Sequence, residues 1–163
     1  MLRALWMGMI DEGRLSRFED GQDIRDRTFA FACHVVKFCE SVYASGGVGR
    51  IMVPQLEDCA SSSATMLEEA RAAESTRDFI SKCSISLKES RESWTRLRVY
   101  HACRIGPESE AGDLVREANE LISIVTAIIR NTRRNAAKKN NGQDGTKRRK
   151  PRRREYEFQI PNS

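Results

Sequence analysis

The feature that most constrains the fold is the spacing of apolar residues between positions 114 and 128. Leu114, Ala118, Leu121, Val125 and Ile128 recur at intervals of four and three residues. This spacing puts all five side chains on one face of an α-helix. The pattern therefore predicts a long amphipathic helix, and we expect it to begin between Pro107 and Ser109.

A second apolar seam runs beside the first on the same predicted helix. It consists of Val115, Ile122 and Ile129. A helix in a monomeric bundle needs only one apolar stripe, so the second seam predicts a contact between subunits. A core-facing surface that is somewhat wider than usual is the alternative interpretation.

Less regular versions of the same period predict three further helices upstream. Their predicted bounds are Asp23 to Ser45, Val48 or Met52 to Ala72, and Ser75 to the stop at Gly106-Pro107. With 7% aromatic residues and four prolines, the chain lacks the alternation and turn residues of a sandwich or barrel. We therefore predict an all-α fold, an antiparallel up-down-up-down four-helix bundle with a disordered basic C-terminal tail.

Two local features refine the prediction for the second and third helices. The apolar stripe of the second helix contains Ala60 and Ser63 where leucine is usual, so a neighbouring helix is expected to approach closely. Ser75 and Asp78 have the spacing of a capping box at the start of the third helix. We expect the chain to turn at Ala73-Glu74 and to restart as a helix there.

The distribution of charge divides the chain into three parts. The net charge is +5, yet residues 136–163 contain nine Lys or Arg and three acidic residues, so the remainder is almost neutral. We predict a weakly ordered extension at 1–22, a four-helix bundle at 23–135 and a disordered basic tail at 136–163. The tail has too few apolar residues to offset the entropy cost of ordering.

The sequence contains no arrangement that is typical of a catalytic or metal site. Neither His34 nor His101 has a carboxylate three residues before it, as a di-iron bundle requires. The glycines of SGGVGR lack the spacing and the lysine of a P-loop. Five cysteines without a CxxC pair indicate reduced thiols, and no run is long enough to span a membrane. We predict a cytoplasmic protein that is not an enzyme and has no metal or cofactor.

The basic tail is the predicted functional segment. KRRKPRRR contains seven cations in eight residues, a density that favours contacts with the phosphates of RNA or DNA. A tail that only increases solubility is the alternative. The predicted nucleic-acid-binding residues are Arg130, Arg133, Arg134, Lys138, Lys139, Lys147, Arg148, Arg149, Lys150, Arg152, Arg153 and Arg154.

Residues between Asp23 and Asn135 resemble a bacterial family of four-helix-bundle proteins. The resemblance depends on Gln55-Leu56, Ser62, Glu69, Ala70-Arg71, Ser75, Asp78-Phe79-Ile80, Leu87-Lys88-Glu89 and Glu92. The family is that of the 23S rRNA intervening-sequence proteins, and it is related to the accessory variability determinant of diversity-generating retroelements. Many members have Asn-Ile-Ala-Glu-Gly where this chain has Met66-Leu67-Glu68-Glu69-Ala70, so Glu69 agrees and Met66 and Ala70 depart.

The resemblance implies a bundle that assembles as a ring, commonly a homopentamer. For the related accessory protein it also implies association with RNA and with a reverse transcriptase, and a scaffold or accessory subunit of that kind is the alternative function. In a ring, charged residues near the turn between the second and third helices are expected to contact a neighbouring subunit. Solvated surface charges are the other interpretation. The expected interface residues are Glu69, Arg71, Lys88, Glu89 and Glu92, together with Val115, Ile122 and Ile129 of the second seam.

Overall fold

The computed structural model describes residues 23–147, with side chains described for 23–139; positions 1–22 and 148–163 lie outside the described residues. Four α-helices make up most of this part of the chain: α1 (Ile24–Ser45), α2 (Val53–Arg71), α3 (Thr76–Ala102) and α4 (Glu108–Lys147). A short 3₁₀-helix, Val48–Met52, precedes α2. No strand occurs between 23 and 147, so the predicted all-helical fold is confirmed.

The ends of α1 follow from its flanking residues. Asp23 is the N-cap, and its carboxylate accepts hydrogen bonds from the Arg25 backbone N–H and guanidinium, at 2.9 Å and 3.0 Å. These bonds lower the pKa of Asp23 to about 2. At the other end, Gly46 has a φ of 77°, a conformation that glycine adopts without strain. Both predicted ends of this helix are confirmed.

The turn between α2 and α3 is short and capped by side chains. Ser75 Oγ accepts a hydrogen bond from the Asp78 backbone N–H at 3.1 Å, and Asp78 Oδ2 accepts one from the Glu74 N–H at 3.3 Å. The predicted turn at Ala73-Glu74 and the Ser75 cap are confirmed. The carboxylate differs from a standard capping box because it bonds to Glu74 and not to the N-cap amide.

Close packing fixes the end of the bundle at which α1 and α3 finish. The rings of Phe38 and Tyr100 meet edge to face, with centroids 5.5 Å apart. The Tyr100 hydroxyl donates a hydrogen bond of 2.8 Å to the Gly49 carbonyl. A Cβ on Gly49 would lie 2.5 Å from Ile105 Cγ2, so only glycine fits there. The 3₁₀-helix is therefore held against the loop that follows α3.

Serine side chains occupy the contact between α2 and α3. Ser63, Ser86 and Ser90 are buried, and Ser63 Oγ lies 2.7 Å from Ser90 Oγ and 3.1 Å from Ser86 Oγ. Ser86 Oγ also donates to the Ser63 carbonyl at 2.9 Å. A side-chain bond to the backbone of the facing helix requires close helix axes, so the predicted close approach is confirmed.

Helix α4 is longer than the sequence analysis predicted. The helix continues beyond Asn135 to Lys147, so the prediction that order ends at Asn135 is corrected for residues 136–147. Ala136-Ala137-Lys138-Lys139 are good helix formers, and they extend a helix that is already nucleated by burial upstream. The remainder of the predicted tail, 148–163, and the extension at 1–22 lie outside the described residues.

Candidate nucleic-acid interface

The predicted cationic residues that the structure describes lie on the last turns of α4. Arg130, Arg133, Arg134, Lys138 and Lys139 are all exposed. None of them forms an ion pair with a described carboxylate. Their charge is therefore available to a ligand. Lys147 ends the helix, and the predicted residues Arg148, Arg149, Lys150, Arg152, Arg153 and Arg154 lie outside the described residues.

Two of these arginines border a depression between α3 and α4. Arg130 and Arg133 line it together with Thr126 of α4 and with Ser84 and Leu87 of α3. The arginine charges stand over a floor of apolar and hydroxyl groups. Such a surface can contact phosphates without the competition of an acidic neighbour.

A second depression lies nearer the start of α3. Arg77, Ile80, Ala136 and Lys139 line it. The sequence analysis did not select Arg77, because a single arginine in the first turn of a helix resembles any surface charge. It joins the C-terminal cations only after α3 and α4 pack together.

The charged residues expected at a subunit interface form contacts within the chain. Glu69 pairs with Lys82 at 3.2 Å, and Glu92 pairs with Arg96 at 2.6 Å. Arg71 is exposed and lies 3.8 Å from Glu68. Lys88 is exposed and Glu89 is half-buried.

One ion pair is buried between α1 and α4. The guanidinium of Arg27 donates to both oxygens of Glu117, at 2.6 Å and 2.8 Å, and also bonds Glu120. Arg27 and Glu117 are only 6% and 3% exposed. The bonds from Glu117 raise the pKa of Arg27. This pair fixes α1 against α4 and takes Glu117 and Glu120 away from the side of α4 that faces α3.

The second seam of α4 faces the interior of the chain. Ile122 and Ile129 are buried, and Val115 packs against the core. A wide core-facing surface describes these positions without a second subunit. The exposed seam lies instead on α1, where Phe29, Val36 and Tyr43 follow one another at intervals of seven residues and are 59%, 41% and 55% exposed.

The described residues offer little to a metal ion or to a nucleophilic mechanism. No group of three or more His, Cys, Asp or Glu side chains with metal-binding geometry occurs in the part of the chain that the structure describes. Burial raises the pKa of Cys39 to about 12 and also raises the pKa of Cys59 and Cys83, which keeps these thiols protonated. Within residues 23–147, no helix combines the length and apolar character needed to cross a bilayer.

Comparison with known proteins identifies a structural relative. The chain is similar to a crystal structure from Bacteroides thetaiotaomicron VPI-5482, described as a protein with unknown function from the S23 ribosomal protein family. The two have 23% sequence identity and a TM-score of 0.60, and the match covers 66% of this chain and 98% of that chain. No protein-family profile and no curated protein matches the chain. At this identity the similarity establishes the helical fold alone.

Proposed function

We propose that this protein is a non-enzymatic four-helix-bundle protein that binds nucleic acid, specifically RNA, through the basic C-terminal arm that begins on α4. The observation that carries the proposal is the row of exposed cations from Arg130 to Lys139 without carboxylate partners in the described residues. The row leads into KRRKPRRR. A helix that projects cations in this way attracts phosphates through counterion release.

The order of the helices supports an up-down-up-down bundle as the platform for the arm. Contacts between α2 and α3 run in opposite directions along the two helices, since Gln55 bonds Arg96 and Glu69 pairs with Lys82. On α1, Arg27 bonds Glu117, while a Cβ on Gly106 would lie 2.7 Å from Val42. α1 and α4 therefore also run in opposite directions.

Two resemblances support RNA over DNA as the ligand. The sequence resembles the 23S rRNA intervening-sequence proteins, and the structural relative is assigned to a family named as ribosomal. Neither relation includes a ligand that is known to bind this chain. RNA is thus the first nucleic acid to test.

Fluorescence anisotropy with labelled single-stranded RNA tests the proposal. The full chain is compared with a variant in which the seven cations of Lys147–Arg154 are replaced by glutamine. We expect the variant to bind more weakly, with a smaller slope of log affinity against log salt, by about 0.7 per lost phosphate contact. Equal affinity and slope for the two proteins, or no binding of the full chain at low salt, would contradict the proposal.

The exposed seam of α1 favours a second candidate function, in which the protein is a scaffold or accessory subunit. Phe29, Val36 and Tyr43 form a stripe of the kind that helices bury against a partner helix. The first partner to test is a second copy of the chain, since the resemblance implies a homo-oligomer, commonly a pentamer. A reverse transcriptase is the other partner that the resemblance suggests. Recovery of one protein partner through a salt-resistant contact would favour this candidate.

A further inference from the structure

The groove between α3 and α4 extends well beyond the two depressions. On α3, Arg91 is seven residues from Ser84, and Arg98 is seven residues from Arg91. Seven residues make almost two helical turns, so these side chains share the face on which Ser84 contacts the depression beside Arg130. Arg77, seven residues before Ser84, lines the other depression. Three exposed arginines of α3 therefore follow one edge of the groove.

Contacts at the far end of α3 confirm that this face is turned toward α4. A Cβ on Gly112 of α4 would lie 3.3 Å from His101 Nε2. His101 is three residues beyond Arg98 and so lies on the same side of α3. From Arg77 to Arg98 the groove is about 32 Å long at 1.5 Å per residue, which is enough for a strand of several nucleotides.

The groove contrasts with the opposite side of α3 in its charge. Along the α4-facing side, every third or fourth position from 77 to 101 is basic, apolar or serine. The acidic residues Asp78 and Glu92 lie toward α2, where they pair with Lys82 and Arg96. Arg77, Arg91 and Arg98 have no ion-pair partner among the side chains described at 23–139. The almost neutral bundle thus has one long face of unpaired positive charge.

The groove also contains a planar stacking surface. The guanidinium carbon of Arg98 lies 4.4 Å from the centre of the Trp94 ring, a cation–π contact that holds the guanidinium in place. Trp94 is half-buried and Arg98 is exposed, so the outer face of the guanidinium is accessible. Unpaired bases stack on arginine planes of this kind, whereas the bases of a duplex are already stacked on one another.

We propose that the α3/α4 groove binds a single strand of nucleic acid, with phosphates on Arg77, Arg91 and Arg130 and one base stacked on Arg98. The proposal rests on the proposed function and adds to it a site on the folded bundle. It assigns binding roles to three α3 arginines outside the arm. It also specifies the ligand, because the Arg98–Trp94 pair selects an unpaired base.

The test measures binding of an unstructured single-stranded RNA to the full chain and to R77Q/R91Q/R98Q. A matched variant, K37Q/R50Q/R71Q, loses the same charge from exposed positions on α1, the 3₁₀-helix and α2, away from the groove. We expect the groove variant to lose at least about tenfold in affinity and to reduce the salt slope by about two. The matched variant should show a much smaller loss and an unchanged slope.

Stacking is tested separately by R98K, which keeps the charge and removes the plane. We expect R98K to weaken binding of single-stranded RNA more than binding of a duplex of the same length. Equal effects of R98K on the two probes would overturn the stacking part of the proposal. Circular dichroism of each variant verifies that the exposed substitutions leave the helices intact.

The outcomes separate this site from the arm. If the groove variant behaves like the matched variant while glutamine at the seven cations of Lys147–Arg154 removes binding, the groove proposal is overturned and the arm proposal stands. If the arm variant keeps full affinity while R77Q/R91Q/R98Q loses it, the groove stands and the arm proposal fails. No binding of the full chain at low salt overturns both.

Discussion

Single residues decide how α1 is attached to the rest of the bundle. Arg27 is almost fully buried, and its guanidinium forms two bonds to Glu117. The sequence does not reveal this pair, because the partners are 90 residues apart and each alone resembles a surface charge. Removal of one partner leaves a buried charge without compensation, which costs far more than the pair itself contributes.

Arg27→Met is therefore expected to lower the free energy of unfolding by about 3–5 kcal/mol, measured by urea denaturation. The matched control is Arg25→Met, because Arg25 also pairs with a carboxylate, Asp23, at the more exposed start of α1. That control should lose about 1 kcal/mol or less. Replacing Glu117 by Leu in the Arg27→Met background should recover much of the loss. Equal costs for the two single variants would contradict the buried pair.

The cysteines differ in burial, and this predicts their reactivity. Cys103 is exposed, whereas Cys39, Cys59 and Cys83 are buried. Burial raises the pKa of Cys39 to about 12, so almost no thiolate forms there at pH 8. With a thiol-reactive disulfide reagent, we expect a fast phase that Cys103→Ala removes. The buried cysteines should react only after urea is added, and a fast reaction of all five would contradict the core.

At the scale of elements, the α2–α3 contact shows what periodicity can predict. Small residues in the stripe of α2 correctly predicted a close approach, because the size of side chains limits the distance between helix axes. The bonds among Ser63, Ser86 and Ser90 were not predictable, since they depend on the register between two helices. Register is set by the whole core and not by either helix alone.

Ser63→Leu tests this contact by adding volume where the helices touch. Because Ser63 is fully buried against α3, we expect a loss of about 1–3 kcal/mol in the free energy of unfolding. Ser61→Leu is the matched control, since Ser61 is exposed two residues earlier on the same helix. A similar stability for the two variants in urea denaturation would indicate that α2 and α3 are farther apart.

The limits of the elements were predictable to different degrees. Glycine stops and the Ser75 cap gave the ends of α1 and the start of α3, since these signals are local. The end of α4 was wrong for residues 136–147 because loss of apolar residues was taken as loss of structure. Alanine and lysine sustain a helix by propensity once upstream burial has nucleated it.

For the whole molecule, the location of the exposed apolar seam bears on assembly. The sequence predicted that the second seam of α4 contacts another subunit, but Ile122 and Ile129 are buried within the chain. The exposed seam lies on α1 instead. Which of two apolar stripes faces inward depends on how all four helices pack, and that is not encoded in the period of any one helix.

Light scattering distinguishes the two seams. We expect the full chain to have a mass that is a multiple of 18.5 kDa, and V36K/Y43K to lower this mass while the helices remain folded. Ile122→Lys should instead reduce stability, because it buries a charge in the core. An unaltered mass for V36K/Y43K, or a monomeric parent chain, would contradict assembly through α1.

Helix α4 outlasts its three neighbours, and this changes how the arm meets its target. Beyond Lys139 the helix adds eight residues, a rise of about 12 Å. A rigid spur of that length holds the first cations of KRRKPRRR at a set reach from Arg77, where a slack tether would let them wander through a larger volume. A strand captured at one end is therefore already within range of the other, and the second encounter needs no search.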